Sequence, residues 1–130
     1  MGKIYISMGL MSGTSLDGVD VSIIKSDGKR DFSPIFDRYF EYDKELIKRL
    51  LEIRQKLTNS EALNDHSQEV KDLEREVTLF HAKAVNETLK ISKSDLDLIG
   101  FHGQTIFHDS KKRITKQLGD GNLLSQLTKK

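Results

Sequence analysis

The sequence predicts an α/β fold whose mixed sheet opens with antiparallel strands and carries flanking helices. Three observations predict it. Apolar and polar residues alternate between Lys3 and Tyr42, the apolar spacing shifts to steps of three and four between Lys44 and Leu89, and a short apolar run returns at Leu96. A chain of 130 residues is enough for one domain, and with no internal repeat, low-complexity tract or proline-rich linker, residues 1–130 are read as one unit.

From Lys3 to Ser26 the pattern is strand, glycine-rich turn, strand. Ile4, Ile6, Met8 and Leu10 alternate before the turn, and Val19, Val21 and Ile23 resume beyond it, as in a β-hairpin with an unusual loop at its tip. Ser26-Asp27-Gly28-Lys29 is a second turn, and the aromatic and β-branched stretch from Phe32 to Tyr42 makes a third strand, with Pro34 expected at an end or edge. Asp43 is placed to cap a helix beginning at Lys44, where Leu46, Ile47, Leu50, Leu51 and Leu57 fall largely on one face. Thr58-Asn59-Ser60 ends that helix. A second helix carries Val70, Leu73, Val77, Phe80 and Ala84 toward Leu89, and its apolar face should lie on the sheet. Leu96, Leu98 and Ile99 then lead into a short buried strand ending in Gly100-Phe101-His102-Gly103-Gln104-Thr105. Lys111-Lys112-Arg113 reads as a polar turn, and Asn122 to Leu127 as a final helix after Gly119-Asp120-Gly121.

Composition excludes several functions. The 21 basic and 20 acidic residues nearly cancel, so the chain lacks the electrostatic footprint of a nucleic-acid or anionic-membrane binder. The absence of cysteine removes disulfides, thiolate catalysis and Cys-based zinc sites. No secretory leader and no apolar run long enough to span a bilayer is present, and the expected location is the cytoplasm.

Chemistry is concentrated in Gly9-Leu10-Met11-Ser12-Gly13-Thr14-Ser15-Leu16-Asp17-Gly18-Val19-Asp20. Glycine permits close backbone approach, backbone N–H groups suit an anion, and hydroxyl and carboxylate oxygens suit a hard cation such as Mg²⁺, directly or through water. The loop lacks the lysine of a Walker-type phosphate loop and joins strand to strand, so that class of ATPase does not fit. Composition alone leaves an ordinary tight turn as the alternative.

The segment resembles the signature of the anhydro-N-acetylmuramic acid kinases. Ile99-Gly100-Phe101-His102-Gly103-Gln104-Thr105-Ile106-Phe107-His108 is similar to that family's Gly-x-His-Gly-Gln-Thr-x-x-His strand end, and Gln117-Leu118-Gly119-Asp120-Gly121-Asn122-Leu123-Leu124 to its Gly-Asp-Gly turn and helix. The resemblance implies the actin-like, sugar-kinase-like ATPase fold, in which two related domains clasp ATP, with this chain supplying most of the first and the C-terminal domain missing. It implies that Gly13, Thr14, Ser15, Leu16, Asp17, Gly18, Val19 and Asp20 bind ATP. Within that segment Gly13 and Gly18 would allow close approach, Thr14 and Ser15 would donate to phosphate oxygens, and Asp17 would hold Mg²⁺ through water.

The implied reaction uses ATP and water to convert 1,6-anhydro-N-acetylmuramic acid to N-acetylmuramic acid 6-phosphate, a step of peptidoglycan recycling. The family's general base lies on a later glycine-rich segment, after an Asp-Phe-Arg motif, and this sequence holds neither. The lone chain is therefore expected to be inactive, with a separately encoded C-terminal half as an implied partner. Apolar surface left uncovered by the missing half should favour self-association into a homo-oligomer.

His102, Gln104 and Thr105 suit sugar contacts or support of the cleft floor, and a hydrogen-bonded strand end is the plainer reading. His102 and His108 would share a strand face only on an unbroken strand, and no ligand set completes a metal shell around them. Asp120 reads as a helix cap, with a polar cleft residue as the alternative. His66 and His81 are expected to be solvated or partly buried helix residues. A rival reading of the whole chain is a non-catalytic nucleotide-binding remnant or interaction module.

Overall fold

A computed structural model describes residues 2–130. Strands β1 (Tyr5–Met11), β2 (Gly18–Ser26) and β3 (Phe32–Glu41) run antiparallel, and β4 (Leu98–Phe101) joins the other side of β1 in parallel, giving the order β3-β2-β1-β4. The sheet is therefore mixed. Between β3 and β4 the chain forms α1 (Lys44–Lys56), a short α2 (Glu61–Asp65) and the long α3 (Ser67–Ser92). After β4 come β5 (Gln104–Asp109) and β6 (Ile114–Leu118), paired as a separate antiparallel ribbon, and α4 (Gly121–Thr128).

Strict alternation decides which sheet face is covered. Met8, Leu10, Val19, Val21 and Ile23 all point into one core, where α3 meets them with Leu73, Val77 and Val85 and α1 adds Leu50 and Ile53. Burying each of these side chains contributes about 1.5–3 kcal/mol. The residues between them, among them Gly9, Met11 and Asp20, face outward. β3 is the edge strand, and its irregularity falls opposite Ile23 and Ile24, next to Pro34, which has no N–H for the ladder.

Both expected caps form. The Asp43 carboxylate accepts from the Leu46 N–H at 2.8 Å, and the Asp120 carboxylate from the Leu123 N–H at 3.1 Å. Helix α2 was not foreseen in the run after Thr58, where the Asn59 side chain accepts from the Ala62 N–H and starts another turn.

The segment after Leu96 departs from expectation. It does not form one buried strand through Thr105: β4 stops at Phe101, and a turn at His102-Gly103 starts β5 in a different ribbon. Gly103 makes the break, with φ of +80° and its α-carbon so close to Leu118 that a Cβ would meet the Leu118 carbonyl carbon at 2.9 Å. As the other edge of the sheet, β4 is only half covered, with Leu98 48% exposed.

Candidate functional site

The loop of residues 12–17 sits at the tip of the β1–β2 hairpin. One apolar anchor holds its middle: Leu16 takes a left-handed backbone, with φ of +60°, and buries its side chain completely. Thr14, Ser15, Asp17 and Asp20 consequently lie on the exposed side, while Leu16 and Val19 turn inward and offer a ligand only their backbone.

Charge on the exposed side is set locally. The Ser15 hydroxyl donates to the Asp17 carboxylate at 2.8 Å and holds its pKa below the usual carboxylate value, with the Tyr39 hydroxyl adding to the effect against slight desolvation. Asp17 is thus ionised at neutral pH. A hydroxyl has one proton, so Ser15 can donate to a ligand only by leaving Asp17. Among the described residues no group of three His, Cys, Asp or Glu side chains could hold a metal ion unaided. A single carboxylate beside hydroxyls fits Mg²⁺ in the way that ion is usually bound, through one or two carboxylates, waters and the ligand's own phosphates.

The two loop glycines differ. A Cβ on Gly13 would have nothing nearer than the Ser15 hydroxyl at 3.9 Å, so the fold leaves that backbone open. A Cβ on Gly18 would run into the Phe40 carbonyl and lie 2.6 Å from the Tyr39 hydroxyl. Packing against β3, rather than ligand access, accounts for glycine there.

The second motif lies behind the loop. Gln104, completely buried, donates from Nε2 to the Gly13 carbonyl at 2.8 Å and accepts from the Tyr42 hydroxyl at 3.0 Å. Its amide is engaged within the chain and does not face the open side. Thr105 is half-buried and, with Thr14, Arg54 and His108, lines a groove of about 360 Å³ between the loop, α1 and β5; Arg54 donates to the Thr14 carbonyl at 2.9 Å. A larger groove, about 460 Å³, opens between α1 and α3, where the acidic Glu41, Asp43, Glu45 and Glu76 outnumber the basic Arg49 and Lys83. His102 is exposed at the β4–β5 turn, 3.3 Å from the Met11 sulfur, and the break after it leaves no continuous strand to align it with His108.

One buried group escaped the sequence reading. His81 is not solvated or partly buried: it is fully enclosed, and burial lowers its pKa to about 4 against the opposing hydrogen bond to the Val77 carbonyl. The Val77 carbonyl, 2.7 Å from Nδ1, can only accept, so Nδ1 carries the proton and Nε2 faces the Ser12 hydroxyl at 3.3 Å. The same hydroxyl donates to the Gly103 carbonyl at 3.0 Å, and its one proton can serve only one of these two acceptors at a time. Signal for this burial existed, since His81 stands four residues from both Val77 and Val85 on the apolar stripe.

A mixed sheet flanked by helices, with an anionic, hydroxyl-bearing loop at a hairpin tip and a second motif locked beneath it, is consistent with a sugar-kinase-like domain. The family model for anhydro-N-acetylmuramic acid kinase matches residues 4–129, and the chain belongs to that family. It is 55% identical over its whole length to the anhydro-N-acetylmuramic acid kinase of Pelagibacter ubique, 40% identical over 98% of its length to that of Agrobacterium fabrum, and 40% identical over 92% to that of Rhodopseudomonas palustris. The chain spans only 35%, 35% and 34% of those relatives. No described helix is long and apolar enough to cross a membrane.

Proposed function

We propose that residues 1–130 form the phosphate-binding, N-terminal ATPase-like domain of a kinase that uses ATP and water to convert 1,6-anhydro-N-acetylmuramic acid to N-acetylmuramic acid 6-phosphate, on an actin-like, sugar-kinase-like fold. The observation that carries the reading is the division of the loop: Leu16 anchors it, while Gly13, Thr14, Ser15 and Asp17 present open backbone, hydroxyls and an ionised carboxylate on one side. Family membership supplies the substrates. In this reading water adds at the anomeric carbon, the bridge to O6 breaks, and O6 takes the γ-phosphoryl group as ADP leaves.

The chain's own part is binding and charge placement. Open amides at Gly13 and Thr14 and the Thr14 hydroxyl face phosphate oxygens, and Asp17 stays anionic to hold a water-bound Mg²⁺. When bound, that ion neutralises the phosphate charge. Gly18, Val19 and Asp20 continue the segment as the start of β2. His102 and Thr105 are the residues of the second motif with side chains available to a sugar, and Gln104 serves the same site from beneath. The proton-abstracting base comes from outside residues 1–130, from a continuation of the chain or a second polypeptide, in the cytoplasm where ATP is available.

Titration calorimetry of the purified chain with ATP and Mg²⁺ tests this. Binding should weaken about tenfold or more in Asp17→Ala, the loss expected for one charge-assisted interaction, and also in Gly13→Ala, whose fold has room for the methyl. No sugar phosphate should form without a complementing C-terminal half. Unchanged affinity in both variants, or turnover by the chain alone, refutes the assignment.

A further inference from the structure

Tyr42 touches both ends of the loop. Its backbone N–H donates to the Asp17 carbonyl at 2.8 Å, and its hydroxyl donates at 3.0 Å to Gln104 Oε1, whose Nε2 donates at 2.8 Å to the Gly13 carbonyl. Both side chains are buried, Tyr42 at 2% and Gln104 at 0% exposure. Each proton in this chain of bonds has one direction. The Gly13 carbonyl can only accept, which places the Gln104 NH₂ group there and leaves Oε1 for the phenol. Burial raises the phenol's pKa, so Tyr42 keeps its proton and remains a donor. The Leu16 N–H also donates to the Gly13 carbonyl, at 3.3 Å, so the acceptor that Gln104 holds is the one closing the loop's turn.

We propose that Tyr42 and Gln104 form a bracket that sets the span of residues 13–17, making Gln104 a positioning residue for the phosphate loop rather than a sugar contact. This rests on the phosphate-binding reading of the loop. Without the bracket, the Gly13 carbonyl keeps only the weak turn bond from Leu16, and the loop is otherwise held by the buried Leu16, the Ser12 bond to Gly103 and the Arg54 bond to the Thr14 carbonyl. A loop pre-set in its binding shape loses less freedom on taking up phosphate, so the bracket acts on affinity without touching the ligand.

Tyr42→Phe removes only the hydroxyl, and Gln104→Met keeps the volume while removing both amide functions. Amide hydrogen exchange of Leu16 in the nucleotide-free chain should speed up about tenfold in each, roughly the worth of one buried hydrogen bond, while Val21 and Ile23 in β2 change little. The double variant should be no worse than the poorer single one, because the two residues act in series. Affinity for ATP and Mg²⁺ should fall in parallel with the loop's exchange. Faster exchange at Val21 and Ile23 equal to that at Leu16 would reduce the pair to ordinary core residues and overturn the proposal. Lost affinity with unaltered loop exchange would overturn it in favour of direct contact, and additive effects would overturn the serial bracket. Should Gln104→Met fail to fold, Tyr42→Phe decides by the same comparison. If the unaltered chain binds no ATP while the exchange pattern appears as expected, the phosphate reading falls and with it the bracket's effect on affinity, whereas its structural half stands.

Discussion

Acid should weaken this fold through His81. The side chain is fully enclosed and its pKa drops from 6.5 to about 4, with desolvation of the imidazolium as the main cause. The unfolded chain takes up that proton near 6.5 and the folded chain resists it, so the histidine's contribution is intact above 6.5 and declines as pH falls toward 4. From pH 7 to pH 5 the loss is about 2 kcal/mol, and it reaches about 3 kcal/mol near pH 4. That is a large share of the stability of a domain this size, for which about 5–15 kcal/mol is usual. Urea unfolding at pH 5, 6 and 7, for wild type and His81→Gln, isolates the effect, because subtracting the variant's curve removes every other titrating group. The difference should fall steadily with pH. A flat difference, or an NMR titration midpoint for His81 near 6.5, would refute the claim that the ring is held neutral by burial.

Three further outcomes follow from the same geometry. Gly18→Ala should cost about 1–3 kcal/mol, read as a drop in the urea midpoint, because its methyl group meets the Phe40 carbonyl and the Tyr39 ring. Gly13→Ala, in the same motif but open in space, should leave the unfolding midpoint nearly unchanged while weakening nucleotide binding. Asp43→Ala should cost about 1 kcal/mol in thermal or urea unfolding through loss of the α1 cap bond to Leu46, with no change in the loop's exchange.

The elements that could be read in the sequence were those whose cause is local. The β1–β2 alternation, the Asp43 and Asp120 caps and the apolar stripe of α3 each follow from neighbours within a few residues, and each formed as expected. Elements that depend on distant atoms were missed. The break at His102-Gly103 arises because the Gly103 backbone must pass Leu118, and the β5–β6 ribbon exists only once that turn is made. His81 looked ordinary because a polar residue on an apolar stripe is enclosed only if Phe101, Ser12 and the Val77 carbonyl close around it, and two of those belong to other elements. Gly18 likewise depends on β3.

The sequence motifs also divide in a way that residue type alone does not reveal. In the first, Ser12 is tied to Gly103 and His81, and Gly13 to Gln104; in the second, Gly103 and Gln104 are the other halves of those bonds. The third joins the same framework through α3, where the Gly119 N–H donates to Glu74 and the Asp120 N–H to Thr78. Gly13 and Gln104, which read as ligand groups, therefore bind each other, and Ser12 and Gly103 tie the same two motifs together. What they leave outward is a smaller set, Thr14, Ser15, Asp17, Asp20 and His102, with Thr105 half-covered at the groove. Substitution of Ser12, Gly103 or Gln104 should change loop geometry and stability together, and substitution of the outer set should change binding alone. Motif strength in such a chain measures how closely the loop, the turn and the helix start must fit each other as much as it measures contact with a ligand.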